Sequence, residues 1–346
     1  MGIFVNTFLK TFGNLLALGA FFIIIALFIN FLQNNDNFND FKFTEGNKES
    51  NNIITILEVN GPIVNDSILP SSLFNFEIIS PDKIKNYIDQ INELETNILI
   101  VSINSPGGTV SASHEIYQLI KKLKSERKLK IYFHTTETLA SGAYWFSLAA
   151  DKIFANYGAL IGSIGVKGPD WIYFDNPVSM STGILGSSIE TKNGIQIFSN
   201  TAGKSKDILN PFRKPTNDEK NQLKLTIDQI YEDFVVSVSK QRKIEINKIK
   251  NDIGAFIYNA NEAKENYLID GINNLEDTVS KIVKENKFDN YKIYKNSKDR
   301  SSFFNRYLLS LFNNSNLNQN VFHKNKICNN FKNNIVSISP NFLFSC

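Results

Sequence analysis

The chain has 346 residues, of which 42% are hydrophobic and 21% are charged, and its formal net charge is +3. This composition is typical of a globular protein with a sizeable core, and the charge is too small and too dispersed to indicate nucleic acid as a partner. The two cysteines, Cys328 and Cys346, both lie near the C-terminus. The rest of the chain therefore has no disulfide framework, cysteine nucleophile or Cys-x-x-Cys metal site.

The N-terminal region is uncharged from Thr11 to Asn35 and almost continuously apolar from Leu15 to Ile29. A bilayer crossing needs about 20 mostly apolar residues, so the sequence predicts a transmembrane helix over residues 13–33. A cleaved signal peptide is the alternative, but the stretch ends without the small-x-small pattern of a cleavage site.

Charges on the two sides of this stretch predict its orientation. Lys10 and the amino terminus precede it, whereas Asp36 and Asp40 follow it before the next lysine. Cytoplasmic flanks carry the excess of positive charge, so residues 1–12 are predicted to be cytoplasmic and the rest of the chain to lie outside.

After a polar, Asn-rich linker at residues 34–50, apolar runs and amphipathic segments alternate. Strands are predicted at 52–59, 97–103, 130–133 and 152–155, and helices at 81–94, 113–123 and 140–150. This alternation predicts an α/β fold with a parallel sheet built from right-handed βαβ units.

The second half of the chain carries a glycine-spaced segment, a long helix and a tail. Gly158–Val166 is spaced by glycines, which favours close approach of two backbone segments. A long helix is predicted over Thr216–Lys243, with a capping box formed by Thr216 and Glu219. Its apolar stripe is predicted to pack into the core, and it consists of Leu223, Ile227, Ile230, Phe234 and Val238. The folded body is predicted over residues 51–290, and residues 291–346 form an unpatterned, Asn-rich tail.

The segment Asn104–Gly108 reads Asn-Ser-Pro-Gly-Gly and follows a predicted strand. Gly107 and Gly108 allow backbone N–H groups to face outward at the start of a helix, where the helix dipole favours negative charge. This arrangement predicts a site for the oxyanion of an acyl-transfer reaction. An ordinary turn between a strand and a helix is the alternative.

Ser141 lies between a predicted strand and a predicted helix, directly before Gly142. A serine in this place exposes its Oγ as a nucleophile, and the Gly142 N–H can contribute to the same oxyanion site. The alternative is an ordinary helix N-cap, because serine is a favoured capping residue.

A serine nucleophile needs a base, and the chain has only three histidines. His114 and His134 precede Ser141 on other elements, and His323 lies in the tail, so a Ser-His-Asp triad is poorly supported. A lysine can replace the histidine when its ammonium is desolvated. Lys206 and Lys204 are the candidates, and spacing alone does not separate them.

Five motifs occur in order: Asn-Ser-Pro-Gly-Gly (104–108), Ala-Ser-Gly-Ala-Tyr (140–144), Ala-Asp-Lys-Ile-Phe-Ala-Asn (150–156), Gly-Ser-Ile-Gly-Val (162–166) and Gly-Lys-Ser-Lys-Asp-Ile-Leu-Asn-Pro (203–211). Together they resemble the signal peptide peptidase A family, peptidase family S49, in its short form with one copy of the domain. The resemblance runs from about Asn52 to Val283. It implies a ClpP/crotonase-like fold of stacked βαβ units.

The resemblance also implies roles for individual residues. Ser141 matches the family's nucleophile and Lys206 its general base, and Ser163 matches a hydroxyl that orients the lysine. The oxyanion donors match Gly108 and Gly142, with Gly107 as a further candidate. The chain departs from the family pattern at Ala143 and Ala260, where glycines are more common, and neither departure removes a catalytic group.

The family implies a membrane-anchored serine endopeptidase that hydrolyses remnant signal peptides on the extracytoplasmic side of the bacterial inner membrane. It also implies a homo-oligomer whose sites are completed between subunits, with no cofactor and no metal. Two alternatives stay open at this point. One is a crotonase-type acyl-CoA enzyme, and the other is a membrane scaffold that kept the fold and lost the chemistry.

Overall fold

The structure is a computed structural model that describes residues 2–34, 40–65, 77–181, 188–197, 199–296 and 336–338. It divides the chain into two units, Met1–Asp40 and Phe41–Cys346. Within the first unit the structure describes one long helix, α1 (Gly2–Asn34). Within the described residues, no helical segment combines the length and the apolarity that a bilayer crossing requires. The transmembrane helix at residues 13–33 therefore stays a prediction.

The second unit contains all the other described elements. Its strands are β1 (Phe41–Gly46), β2 (Ile53–Asn60), β3 (Ile98–Asn104), β4 (Gly107–Thr109), β5 (Lys130–Thr135), β6 (Thr138–Ala140), β7 (Lys152–Ala155), β8 (Leu160–Gly162), β9 (Ser179–Ser181), β10 (Ser188–Glu190), β11 (Ile257–Asn259), β12 (Gly271–Ile272), β13 (Lys292–Asn296) and β14 (Val336–Ile338). Its helices are α2 (Pro81–Glu93), α3 (Val110–Arg127), α4 (Gly142–Ser147), α5 (Asn217–Arg242), α6 (Ile246–Lys248), α7 (Ala260–Glu265) and α8 (Leu275–Glu285), and α6 continues into a π-helical turn, Ile249–Ile253.

A seven-stranded sheet in the order β1-β13-β2-β3-β5-β7-β12 forms the centre of this unit. All of its neighbouring strands are parallel except the edge pair of β1 and β13. Residues 98–103 of β3 are all buried, with alternate side chains in hydrophobic clusters on opposite faces of the sheet. A parallel strand covered on both faces reads as a continuous apolar run, and the predicted α/β fold with a parallel sheet is therefore confirmed.

A smaller sheet has the strand order β11-β8-β6. Strands β6 and β8 pair in parallel, and β11 pairs with β8 in antiparallel orientation. This sheet carries the segments directly before Ser141 and Ser163, so it positions both serines.

Helix α5 begins with the predicted capping box, in which Thr216 and Glu219 exchange hydrogen bonds between side chain and backbone. The prediction for its apolar stripe is only partly right. Phe234 and Val238 are fully buried, whereas Leu223 and Ile227 are only half-buried. From Asn217 to Asp233 every residue except Glu219 is half-buried or exposed, and we call this part of the helix the α5 arm.

The structure corrects several predicted boundaries. The folded body extends beyond residues 51–290, because β1 comes from the predicted linker and β13 from the predicted tail, and both belong to the central sheet. Helix α4 covers only Gly142–Ser147, shorter than the predicted 140–150. The tail also contains β14, which pairs with β4. Both cysteines lie outside the described residues.

Candidate active site

Backbone hydrogen bonds join the two glycine-containing motifs. The Ser105 N–H donates to the Thr138 carbonyl at 2.8 Å, and the Ala140 N–H donates to the Ser105 carbonyl at 3.2 Å. The turn that carries Gly107 and Gly108 is thereby fixed beside β6, the strand that leads into Ser141. Strand β4 also lies against α4, the helix that Ser141 begins.

Ser141 occupies the N-cap position of α4 in an unusual backbone conformation, with φ 59° and ψ −122°. A positive φ is uncommon outside glycine, and such residues cost about 1–3 kcal/mol and cluster at functional sites. The residue is 1% exposed, and its side chain makes no capping hydrogen bond. An ordinary N-cap would use its hydroxyl to bond the helix, so capping does not account for this serine.

Helix α4 is buried along its whole length and is held by contacts on two sides. The Trp145 ring stacks on Phe234 of α5 with centroids 4.5 Å apart, and the Tyr144 hydroxyl donates to the Leu268 carbonyl at 2.8 Å. Gly142 is the first helical residue, and the first N–H groups of a helix have no partner within the helix. The Gly142 N–H therefore points toward the N-terminal end of α4, where Ser141 lies.

Gly107 and Gly108 differ in what their backbone groups contact. The Gly107 N–H donates to Ser105 Oγ at 3.2 Å, and its carbonyl accepts from the Ile63 N–H at 2.9 Å. On the other side of Gly108, the Thr109 N–H donates to the Ile63 carbonyl at 2.9 Å. Backbone groups alternate in direction along a strand, so the Gly108 N–H and C=O face away from Ile63.

Gly108 is also the position at which only glycine fits. A Cβ built there would lie 1.8 Å from the Ile63 carbonyl oxygen, a backbone atom that also accepts from the Thr109 N–H. The close approach of β4 to Ile63 therefore requires a residue without a side chain.

Ser163 follows β8 in the same way that Ser141 follows β6. The Ser141 N–H donates to the Gly162 carbonyl at 2.8 Å, and the Ser163 N–H donates to the Phe256 carbonyl at 2.7 Å. Ser163 is buried and has a positive φ of 54°. The two serines therefore sit at neighbouring strand ends of the smaller sheet.

Asn104 fixes the turn that precedes β6 and Ser141, a role that was not predicted from the sequence. Its Oδ1 accepts from the backbone N–H groups of Thr136 and Glu137, at 3.1 Å and 2.8 Å, and from the Thr135 and Thr136 hydroxyls. These bonds fix the turn between β5 and β6 to the end of β3. An Asn directly after a predicted strand and before Ser-Pro-Gly-Gly was the only available signal.

The two candidate bases lie in one turn but in different surroundings. Lys204 forms an ion pair with Asp218 at 2.7 Å, in which the two side chains are 79% and 69% exposed. Its hydrogen bond to Asp218 raises the pKa of Lys204, which favours the protonated form and opposes a role as base. Lys206 is exposed, and its N–H donates to the Gly203 carbonyl at 3.3 Å.

A network of three charged residues fixes the turn that carries Lys206 to the start of α5. Arg213 donates to both carboxylate oxygens of Asp207, at 2.7 Å and 2.8 Å, and to both of Glu219, at 2.9 Å and 2.6 Å. We call these three residues the Arg213 clamp. Bidentate guanidinium–carboxylate pairs are strong and geometrically specific, so the clamp restrains the residue directly after Lys206.

Hydrogen bonds dominate the electrostatics of the clamp. The bonds from Arg213 hold the pKa of Asp207 and the pKa of Glu219 below their ordinary values, and the Thr216 N–H contributes to the shift at Glu219. Both carboxylates raise the pKa of Arg213 in return. Local sequence pattern predicts Glu219 only as part of a capping box, and it does not indicate Arg213.

Ser141, Gly108, Gly142 and Ser163 therefore converge where β4, β6, β8 and α4 meet. Lys206, by contrast, lies near the N-terminal end of the exposed α5 arm, next to the Arg213 clamp. Within the described residues no group of three or more His, Cys, Asp or Glu side chains is placed to hold a metal ion. The group of residues around Ser141 combines a buried serine with the backbone amides of Gly108 and Gly142, and this combination suits nucleophilic acyl transfer.

Comparisons with known proteins identify the class of the chain. Residues 122–289 match the sequence profile of peptidase family S49. A putative signal peptide peptidase SppA of Enterococcus faecium is 30% identical over 263 residues, which cover 75% of this chain and 71% of that protein. A putative protease of Methanocaldococcus jannaschii is 33% identical over 201 residues, 57% of this chain and 60% of that protein.

Among solved structures, a ClpP1 mutant from Listeria monocytogenes aligns with 64% of this chain and 92% of its own, at a TM-score of 0.39 and 18% identity. A likeness at this level is too weak to define a function.

The site and the sequence relatives together place the chain among the serine peptidases. Within that class it belongs to peptidase family S49, the family of signal peptide peptidase A.

Proposed function

We propose that the chain is a serine endopeptidase in which Ser141 is the nucleophile and Lys206 is the general base. The observation that carries the proposal is the conformation of Ser141, which is buried and has φ 59° at the start of α4. A strained serine at a turn from strand to helix, with amides beside it, is the arrangement expected of an activated nucleophile.

In the proposed reaction, neutral Lys206 accepts the Ser141 hydroxyl proton as Oγ attacks the carbonyl carbon of a peptide bond. The amides of Gly108 and Gly142 donate to the negatively charged oxygen of the tetrahedral intermediate. Lys206 returns its proton to the leaving amine, and an acyl-enzyme on Ser141 remains. Water, deprotonated by the same lysine, then hydrolyses this ester. Gly108 is better placed than Gly107, whose N–H already donates to Ser105 Oγ.

Lys206 is favoured over Lys204 on electrostatic grounds. The ion pair with Asp218 stabilises the charged form of Lys204, whereas a base must be neutral before it accepts a proton. Ser163 is proposed to accept a hydrogen bond from the neutral lysine amine, so that the amine lone pair points at Ser141. Its place beside Ser141 on the smaller sheet supports this role.

We propose further that the base comes from a neighbouring subunit. The clamp holds Lys206 near Glu219, and Phe234, which packs on α4, lies 15 residues further along α5, about 22 Å at 1.5 Å per residue. The exposed Lys206 is therefore carried away from the core that holds Ser141. Burial against another subunit would strip water from its ammonium and favour the neutral amine.

Exposed apolar side chains around the arm support such an assembly. Three of them, Ile172, Phe174 and Val178, precede the Lys206 turn in the sequence. Ile208 lies in that turn and Leu225 lies on α5. The exposed fractions of these five side chains range from 40% to 63%. Clusters of exposed apolar residues of this kind mark protein–protein contacts. A homo-oligomer that buries them would bring each Lys206 to another subunit's Ser141.

The proposed substrates are peptides left in or near a membrane, with remnant signal peptides as the class. Support comes from the family and from the name of the Enterococcus faecium relative. Attachment of the N-terminal segment to a bacterial inner membrane, with the peptidase outside the cytoplasm, belongs to the same proposal. Its support is the absence of charge from Thr11 to Asn35. Extraction of the full chain with alkaline carbonate tests it, and release into the soluble fraction would contradict membrane insertion.

The catalytic proposal is tested with three single substitutions in the full chain. Ser141→Ala and Lys206→Ala should each abolish hydrolysis of a fluorogenic peptide, and Lys204→Ala should retain it within about twofold, because its ion pair is exposed. A fluorophosphonate probe should label the wild type at Ser141. Activity in Lys206→Ala together with loss in Lys204→Ala would assign the base to Lys204, and labelling of another serine would refute the nucleophile.

A further inference from the structure

Residues 165–174 connect Ser163 to the turn that carries Lys206, and we call this segment the strap. It begins two residues after Ser163 in the sequence. At its other end the Phe174 N–H donates to the Pro211 carbonyl at 2.8 Å. The strap therefore reaches the turn that contains the proposed general base.

Close packing holds the strap against the α5 arm. A Cβ built at Gly168 would clash with Ile227 Cδ1 and would lie 4.0 Å from Leu223 Cδ1, so the strap backbone lies directly on these two side chains. This contact contributes to the partial burial of both residues. The strap is thus fixed along the same helix that begins next to the Arg213 clamp.

Trp171 is an inward-facing residue of the strap. It is half-buried, whereas the next residue, Ile172, is 56% exposed. The guanidinium carbon of Arg213 lies 5.6 Å from the centre of the Trp171 ring. A cation within about 6 Å of an aromatic ring is attracted to its face, and tryptophan gives the strongest contacts of this kind. Within the part of the chain that the structure describes, the buried indole N–H has no hydrogen-bond partner, so the ring contributes its face and not a hydrogen bond.

The contact with Trp171 complements the hydrogen bonds of the clamp. All N–H groups of a guanidinium lie in its plane, so the bonds from Arg213 to Asp207 and Glu219 still leave a face that a ring can cover. Trp171 therefore restrains the one side chain that joins both carboxylates. Asp207 is the residue directly after Lys206, and a shift of the clamp would move the lysine with it.

We propose that Trp171 is a positioning residue for Lys206 and acts through Arg213. This inference rests on the proposed function, in which Lys206 is the general base, and it adds a residue outside the hydrogen-bonded clamp. Productive geometry requires catalytic groups to be held within about 0.5 Å, and side chains packed behind them supply that restraint. Without the ring, Arg213 can rotate between its two carboxylates, and the Lys206 turn loses its fixed position.

The positioning role is tested by hydrolysis of a fluorogenic peptide with three substitutions in the full chain. Trp171→Leu should lower kcat by about 10-fold with KM within about twofold, because the hydrogen bonds of the clamp remain. Trp171→Phe keeps an aromatic face and should stay within about threefold of the wild type. Tyr173→Leu is the matched control, because it removes a neighbouring ring that lies on Lys214, 5.4 Å from the lysine Nζ, outside the clamp. Its kcat should stay within about twofold of the wild type. Equal losses in Trp171→Leu and either of the other two variants would overturn the proposal.

A double-mutant cycle separates action through Arg213 from a general effect on folding. Added to Arg213→Gln, Trp171→Leu should lower kcat by less than about twofold more, because the ring then has no guanidinium to hold. Losses that multiply in the double variant would show that Trp171 acts by another route, and this result would also overturn the proposal.

Amide hydrogen exchange tests the restraint without an activity measurement. The N–H groups of Lys206, Ile208 and Asn210 donate to carbonyls within the turn, at 3.3 Å, 3.1 Å and 3.1 Å. In protein that carries Ser141→Ala, Trp171→Leu should accelerate exchange in the peptide containing these amides by about 5-fold or more, and Trp171→Phe should not. Equal exchange in Trp171→Leu and its parent would overturn the restraint. An inactive wild type would refute the peptidase proposal alone, because the exchange measurement requires no hydrolysis.

Discussion

The Ser141 backbone N–H donates to the Gly162 carbonyl at 2.8 Å, and this single bond fixes the nucleophile candidate relative to Ser163. Two strand ends from different parts of the chain, β6 and β8, are thereby joined in register, with Ala140 opposite Gly162. The pairing brings Ala-Ser-Gly and Gly-Ser-Ile-Gly side by side although they lie about 20 residues apart in the chain. Each motif supplies one serine to the same corner of the smaller sheet.

The positive φ of Ser141 predicts that this residue lowers the stability of the fold while it provides the nucleophile. Ser141→Gly should raise the free energy of unfolding by about 1 kcal/mol, because glycine adopts φ 59° without the cost that a side chain incurs. Ser141→Ala keeps the Cβ and should not give this gain. Both variants should lose hydrolysis. Denaturant titration measures the difference, and equal stability of the two variants would contradict strain at this position.

Completion of the site between subunits predicts complementation. Ser141→Ala and Lys206→Ala subunits, each inactive alone, should regain activity when they are dissociated, mixed in equal amounts and reassembled. With random assembly about a quarter of the sites would combine an intact serine with an intact lysine. Peptide hydrolysis after mixing measures this fraction. A mixture as inactive as its components would place both groups in one subunit.

The Arg213 clamp predicts a role for Arg213 in positioning Lys206. Arg213→Gln should lower kcat by about 10²-fold with little change in KM, because displacement of a catalytic group by about 1 Å has an effect of this size. Arg213→Lys should not restore the rate, since lysine cannot bond both carboxylates bidentately. Asp218→Asn breaks the exposed ion pair on the same helix turn and serves as the control, with activity expected near that of the wild type. A similar loss in this control would indicate a general effect on α5.

The same clamp predicts how stability depends on pH. Its hydrogen bonds hold the pKa of Asp207 and the pKa of Glu219 below their ordinary values, so the unfolded chain binds protons at a pH where the folded protein does not. The clamp's contribution to the free energy of unfolding is therefore complete above about pH 5 and decreases as the pH falls through about 4. Denaturant titrations at several pH values measure the slope, which should be shallower in Arg213→Gln. An identical slope in that variant would refute the assignment.

Asn104 predicts a contrast between two substitutions. Asn104→Ala leaves the Thr136 and Glu137 amides without their acceptor and should cost about 1–3 kcal/mol of stability. Asn104→Asp keeps an acceptor oxygen in the same place and should cost less, although it loses the donor to Asn60 Oδ1. Thermal unfolding ranks the two, and a larger loss in the aspartate variant would show that the acceptor is not the main contribution.

Much of the fold follows from local sequence patterns. The runs at 98–103 and 53–59 are apolar because their strands are covered on both faces, and the capping box of Thr216 and Glu219 is a contiguous signal. Helix α4 was predicted too long because the apolar sequence continues past its end. Leu148, Ala149 and Ala150 are buried, but they leave the helix in a turn.

The remaining features depend on contacts between distant residues. Leu223 and Ile227 have the spacing of core residues, yet the arm that carries them lies outside the core, and no local pattern distinguishes a core from an interface. Pairing of β14 with β4 joins positions more than 200 residues apart and leaves no periodic signal in the tail. The sequence predicted Ser141 and Lys206 by family resemblance, but not the clamp, whose three members are spaced six residues apart.

Helix α5 connects the stacked pair of Trp145 and Phe234 to the Arg213 clamp at its N-terminal end. A small change in helix orientation at Phe234 therefore produces a larger displacement at the clamp. A tilt of about 5° about Phe234 would displace the Glu219 end by about 2 Å over its length of about 22 Å, several times the tolerance of about 0.5 Å for productive catalytic geometry. Substitutions in the stacked pair of Trp145 and Phe234 are thus amplified at the lysine, and a defect measured in turnover can originate at Phe234, about 22 Å along the helix from the clamp.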